Sequence, residues 1–145
     1  MIEMVDFYKI STLYFPHVTK VFMKRMTSTH AQLSDYDLIL PVEKHPDREE
    51  YILVGRYDCY EYISTFHKTK EVLCIIEEFT EKETQYFKIL RRLHNKGDSN
   101  KKNKKLLLNR LEHQNFSKIN KMTGFSRSEL KDYRKNIKLD CGSQI

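Results

Sequence analysis

The sequence predicts an α+β fold, with a small mixed-sheet domain over residues 1–79 and a helical region over 80–140. Three observations predict it. Short runs rich in β-branched and aromatic residues, punctuated by Pro and Gly, recur through the first 79 residues, which is the composition of strands. From Thr80 onward apolar residues recur instead at helical spacing. Charge also divides along the chain: residues 96–145 hold 13 basic and 5 acidic residues, net +8, whereas residues 1–95 hold 13 and 15, net −2. A neutral-to-acidic domain joined to a basic one is the footprint of a chain that meets a polyanion with one end.

Taken in order, residues 7–15 are aromatic and β-branched and end at Pro16, which predicts a strand. Residues 18–26 fit either a second strand or a short helix, and Thr27-Ser28-Thr29 reads as a break. The run 38–43 predicts a buried strand, with Pro41 requiring an edge or a bulge because it has no N–H for a ladder. His45-Pro46-Asp47-Arg48 reads as a turn into a strand at 50–54, making a hairpin. A helix then starts near Arg56, with Cys59, Tyr62, Ile63 and Phe66 forming one inward stripe. Residues 72–79 predict another strand. Thr80-Glu81-Lys82-Glu83 has the form of a capping box opening a helix to about His94, with Phe87, Leu90 and Leu93 buried. Residues 95–105 are polar and lysine-rich, the composition of a solvated connector that can also meet phosphate. Leu106, Leu107, Leu108 and Leu111 open a further helix, and residues 141–145 read as a disordered tail.

Residues 116–135 carry the most specific pattern. Ser117 is of a type that caps a short helix burying Ile119 and Met122, Gly124 supplies the left-handed turn, and Phe125 fills the corner. Ser126 followed by Glu129 is a capping box, and Leu130 and Tyr133 face the core of the second helix. This is the pattern of a helix-turn-helix, in which the second helix enters the major groove of duplex DNA. Asn120 stands where a small residue is usual, and Asp132 places a negative charge on the second helix. The pattern makes Lys118, Lys121, Ser126, Arg127, Ser128, Lys131, Arg134 and Lys135 the candidate DNA-binding residues.

Cys59, Cys74 and Cys141 have no paired or metal-ligand spacing, and the six histidines are scattered. This predicts a reduced protein without structural zinc. Asp35, Asp37 and Glu43 are carboxylates whose spacing does not demand a metal. No apolar run approaches the ~20 residues of a membrane span, and the N-terminus lacks the form of a signal peptide. The expectation is a cytoplasmic protein that does not engage a membrane. Frequent Lys, Asn, Ile and Tyr accord with an AT-rich bacterial or phage genome.

The hairpin Leu40-Pro41-Val42 and Tyr51-Ile52-Leu53-Val54-Gly55, the helix after it, a strand, a capped helix and the helix-turn-helix together resemble the ParB-like family over roughly residues 7–135. In that family an amino-terminal domain, of a type shared with sulfiredoxin, precedes the DNA-binding module. The resemblance implies a nucleotide triphosphate site with magnesium around Gly55 and Arg56. Beyond those two residues the chain departs from the family's arginine-rich box, with Tyr57, Asp58, Tyr60 and Glu61 in place of arginines. Carboxylates beside a triphosphate oppose its binding, so no cofactor is expected. Sulfiredoxin-like enzymes place Cys directly after the Gly, whereas Cys59 lies four residues on and falls on the inward stripe.

The resulting expectation is a non-enzymatic, sequence-specific duplex-DNA-binding protein. It would act as a transcriptional regulator or partition-like factor of a bacterial, plasmid or phage replicon, in the cytoplasm or nucleoid. One helix-turn-helix reads few base pairs, so a homodimer or a protein partner through the amino-terminal domain is expected. Two alternatives stand beside it. One is a phage or host interaction protein that modulates a partner through the aromatic-rich amino-terminal domain. The other is a ParB-like nuclease or nucleotide hydrolase.

Overall fold

The computed structural model describes residues 1–13, 20–67, 69–93 and 101–133. The fold is α+β and divides into two compact units, Met1–Thr80 and a second that begins at Glu81. The first unit contains strands β1 (Ile2–Asp6), β2 (Ile10–Thr12), β3 (Leu40–Lys44), β4 (Tyr51–Leu53) and β5 (Glu71–Glu77), with helices α1 (Lys20–Ser28) and α2 (Tyr57–Tyr62). The strands form one mixed sheet in the order β1-β5-β3-β4-β2. β1 runs antiparallel to β5 and β3 to β4, while β3–β5 and β2–β4 are parallel.

Register explains the core. Val5 pairs with Val72, Cys74 with Leu40, Val42 with Leu53, and Tyr51 with Ile10. All eight side chains are buried, and residues paired across a ladder share a face. One apolar layer therefore crosses all five strands, joined by Tyr57, Cys59, Tyr62 and Ile63 from the α2 segment. The opposite face leaves Ile2, Met4 and Ile75 exposed. Glu43 is fully buried, and its carboxylate accepts the Thr80 N–H at 2.8 Å and the Thr80 hydroxyl at 2.9 and 3.0 Å.

Several expectations are corrected here. The strand expected at 7–15 is interrupted: Asp6 accepts the Tyr8 N–H at 3.0 Å and caps a 3₁₀ turn over Phe7–Lys9. Only Ile10–Thr12 of that run pairs, and its last two residues lie outside the described ones. The strand before it, β1, was not anticipated. Lys20–Ser28 is helical, one of the two forms expected there, and it ends within the break expected at Thr27-Ser28-Thr29. Pro41 lies in the central strand rather than at an edge. It sits opposite Val54, just past the end of β4, and its carbonyl accepts the Val54 N–H at 3.0 Å, so one bond of that pair is kept and the other is lost. Phe66, expected on the inward stripe, is 49% exposed. The α2 segment continues as a π-helical turn over Ile63–His67, and the extra residue in such a turn rotates Phe66 off the stripe.

The second unit is helical: α3 (Lys82–Leu93), α4 (Lys101–Arg110), α5 (Phe116–Thr123) and α6, residues 127–133. α3 packs against both α4 and α5 and buries Tyr86, Phe87, Ile89, Leu90 and Leu93. The capping box expected at Thr80 does not form, because Thr80 is engaged by Glu43. Glu81 accepts the first helical N–H, from Gln85 at 2.9 Å. Glu83 instead holds the corner before α5, bonding His113 Nε2 at 2.5 Å and accepting from Gln114 Nε2 at 2.6 Å. The connector expected through residue 105 is helical from Lys101, with Asn103 and Lys104 buried. Residues 94–100 and 134–145, including the expected tail, lie outside the described ones. Among the described residues no helix is long and apolar enough to cross a membrane.

Two outcomes follow. Thr80→Val removes the hydroxyl facing buried Glu43 at nearly constant volume and should cost about 1–3 kcal/mol, measured by urea unfolding. Burial pushes the Cys74 thiol up to about 12 from the ordinary 9.0. The folded state thus holds that proton more tightly than the unfolded chain. Its contribution to stability is fully present below pH 9.0 and is lost as pH rises towards 12. Alkylation of Cys74, followed by mass spectrometry, should require unfolding throughout the neutral range.

Candidate nucleic-acid interface

α5 begins at Asn115, whose side-chain oxygen accepts the Lys118 N–H at 2.8 Å. Ser117, expected to be the cap, is exposed in the first turn. Ile119 is buried as expected, and Met122 is half-buried. At the far end Gly124 adopts φ 81°, ψ 1° and donates its N–H to Asn120 O at 2.8 Å. This left-handed position favours a residue without Cβ. Phe125 then turns fully into the core. Its N–H donates to Thr123 Oγ1 at 3.2 Å, and its carbonyl accepts from the Asn120 amide at 2.7 Å. Asn120, where a small side chain was expected, thus ties the corner shut.

The capping box of α6 is formed in both directions. Ser126 Oγ accepts the Glu129 N–H at 3.2 Å, and Glu129 Oε1 accepts the Ser126 N–H at 3.1 Å. Leu130 is buried, and Tyr133 meets the Phe125 ring edge-on at 5.9 Å. These anchors orient α6. Lys118, Lys121, Ser126, Arg127, Ser128 and Lys131 are all exposed. Arg134 and Lys135 lie outside the described residues. Arg127 and Lys131, four apart, share one face of α6, and Ser126 Oγ lies 3.2 Å from Ser128 Oγ.

Aromatic rings govern two of the cations. The Arg127 guanidinium sits 4.5 Å from the centre of the Phe116 ring, and the Lys118 ammonium 5.9 Å from that of Phe87. Both lie within cation–π range. The contribution of Phe116 was missed in the sequence because an aromatic at a helix start reads as core. The Asn115 cap was legible in principle, since Asn is a preferred N-cap.

Around Gly55 and Arg56 the left-handed residue is Arg56, at φ 49°, and not the glycine. The Arg56 guanidinium donates to Ile39 O and Asp37 O at 2.9 Å each and contacts Cys59 Sγ at 3.1 Å. At the start of α2 the Cys59 N–H is taken by Asp58 Oδ1 at 3.0 Å. The Arg56 guanidinium and the Cys59 N–H are therefore engaged within the first unit. Asp37 accepts the Ser34 N–H at 2.8 Å and the Ser34 hydroxyl at 3.0 Å. These bonds, the backbone one foremost, hold its carboxyl below the usual range, with Arg56 assisting. Asp35, Asp37 and Glu43 are not gathered as ligands: among the described residues no group of three or more His, Cys, Asp or Glu is placed to hold a metal.

Two solved structures of C-terminally truncated chromosome-partitioning protein ParB from Caulobacter crescentus are similar to this chain. The one complexed to the centromeric parS site aligns with a TM-score of 0.52 and 15% identity, over 90% of this chain and 69% of that one. The chain has a ParB-like fold. The other, complexed with CTP-gamma-S, aligns at 0.46 and 14% identity, over 92% of this chain and 76% of that one. No family model and no curated protein matches. At such identity the ParB-like fold is what the likeness establishes.

Arg56→Met should lower the unfolding free energy by about 1–2 kcal/mol, because it removes bonds to two carbonyls and keeps the left-handed backbone. Urea unfolding monitored at several wavelengths checks it, and Arg56→Lys should recover only part of the loss, since an ammonium lacks the planar fork.

Proposed function

We propose that this chain binds duplex DNA sequence-specifically, through α5, the corner at residues 124–126 and α6 acting as a helix-turn-helix. The observation that carries it is the arrangement of α6: Phe125 and Leu130 are buried while Ser126, Arg127, Ser128 and Lys131 are exposed at its N-terminal half. That is the half from which such a helix touches base edges. The ParB-like fold, shared with a protein crystallised on its parS site, supports the same conclusion. Arg127 reads a guanine through its paired donors, Ser126, Ser128 and Lys131 contact neighbouring base edges or phosphates, and Lys118 and Lys121 meet the backbone. Arg134 and Lys135 extend the basic run. The biological role is that of a partition-like factor or transcriptional regulator of a bacterial, plasmid or phage replicon, acting as a dimer on paired half-sites.

A protein partner on the first unit is the second reading, favoured by Tyr8 and Tyr36, which are 84% and 72% exposed. Triphosphate has no part in either. With Arg56 held on carbonyls and Asp58 and Glu61 close by in sequence, calorimetry with CTP and magnesium at millimolar concentration should give no saturable binding. A micromolar dissociation constant would show that Arg56 leaves its carbonyls for phosphate.

Selection from a random-sequence duplex pool should yield a preferred site. Against that site and its single-base variants, Arg127→Ala should flatten the ranking at one base pair by about 1–3 kcal/mol. Lys121→Ala should weaken every duplex alike and make the salt slope shallower by about 0.9. A ranking left intact by Arg127→Ala would overturn the assignment of α6.

A further inference from the structure

We propose that Phe116 is a positioning residue for sequence reading: its ring holds the Arg127 guanidinium by one face and so presents the in-plane donors of Arg127 to a base edge. The proposal rests on the DNA-binding reading above. Phe116 is the first residue of α5 and is half-buried, directly after the Asn115 cap. Arg127 is the first residue of α6, directly after the Ser126 cap. The capped starts of two consecutive helices therefore bring a ring and a guanidinium to 4.5 Å.

The chemistry favours a presenting role over simple anchoring. A guanidinium attracted by a ring quadrupole uses its flat face. Its N–H donors all lie in the plane of the group, so stacking leaves them available. A bidentate contact to guanine O6 and N7 needs two of those donors, at a set angle. An unsupported arginine loses side-chain rotamer freedom when it adopts such a geometry. The ring removes part of that loss before DNA arrives, which is the general effect of preorganisation. Glu129 is engaged with Ser126, and among the described residues the Phe116 ring lies against the Arg127 guanidinium.

The test uses the full chain and the duplex that the wild type selects from a random-sequence pool. Phe116→Leu keeps apolar bulk and removes the ring, and Phe116→Tyr keeps the ring. Phe116→Leu should reduce discrimination at the base pair read by Arg127 about two- to fivefold, the range of an exposed cation–π contact. Binding to a duplex already substituted at that base pair should not change. Phe116→Tyr should restore discrimination. In an Arg127→Ala background, Phe116→Leu should add nothing. The proposal is overturned if Phe116→Leu leaves the ranking intact, if Phe116→Tyr fails to restore it, or if the loss persists without Arg127. A wild type that ranks no duplex above another overturns the DNA-binding reading itself, and this proposal with it.

Discussion

The corner between α5 and α6 is held by Phe125, whose ring is reached from the core only because the backbone passes through the left-handed region at Gly124. Everything exposed on α6 depends on that passage. Thr123, Asn120 and Gly124 together hold the turn through three hydrogen bonds. Ser126 follows directly, and its hydroxyl closes the cap. Moving the start of α6 by one residue would rotate it by about 100°. Leu130 would leave the core, and Arg127 would lose Phe116. The outward face of α6 is therefore set by the burial of one ring, and not by the charges displayed on it.

This is also why the second unit was largely legible in the sequence while parts of the first were not. Gly124, Phe125, Ser126 and Glu129 act over four or five residues, and short-range signals of that kind can be read directly. The errors arise where two rules compete. Phe7 and Tyr8 favour a strand by type, yet Asp6 captures the Tyr8 N–H and imposes a turn. Thr80 and Glu83 have capping spacing, yet Glu43, 37 residues away in sequence, binds Thr80 more fully than a helix start would. Pro41 was expected at an edge or a bulge because it lacks an N–H for a ladder. It lies in the central strand instead, just past the end of β4, where its carbonyl still accepts the Val54 N–H. The Asp6 cap is local and was outweighed by residue type, whereas Glu43 is a tertiary partner that single-sequence patterns do not contain.

Polar residues buried on a helix make the same point differently. Asn103 and Lys104 lie four residues before Leu107 and Leu108, so one inward face runs through all four. Hydropathy ends that face at the leucines, and the helix does not. Arg56 shows the converse. Its place after Gly55 suits an anion site, but its donors reach Asp37 and Ile39 carbonyls across the loop. A residue's type states which contacts it can make; its existing partners state which remain.

The charge of the second unit needs the same correction before it is turned into a number of phosphate contacts. The net +8 of residues 96–145 counts every cation equally. Lys104 is buried, Arg110 lies 5.5 Å over the Tyr86 ring, and Lys118 and Arg127 are each held against an aromatic ring. Burial removes Lys104 from contact with phosphate, and the other three each lie over an aromatic ring. On the proposed DNA-binding reading, the charge split sets the sign of the partner, and the ring contacts bear on how many cations can track its backbone. A salt slope, which counts displaced counterions rather than formal charge, falls below the value that +8 alone implies.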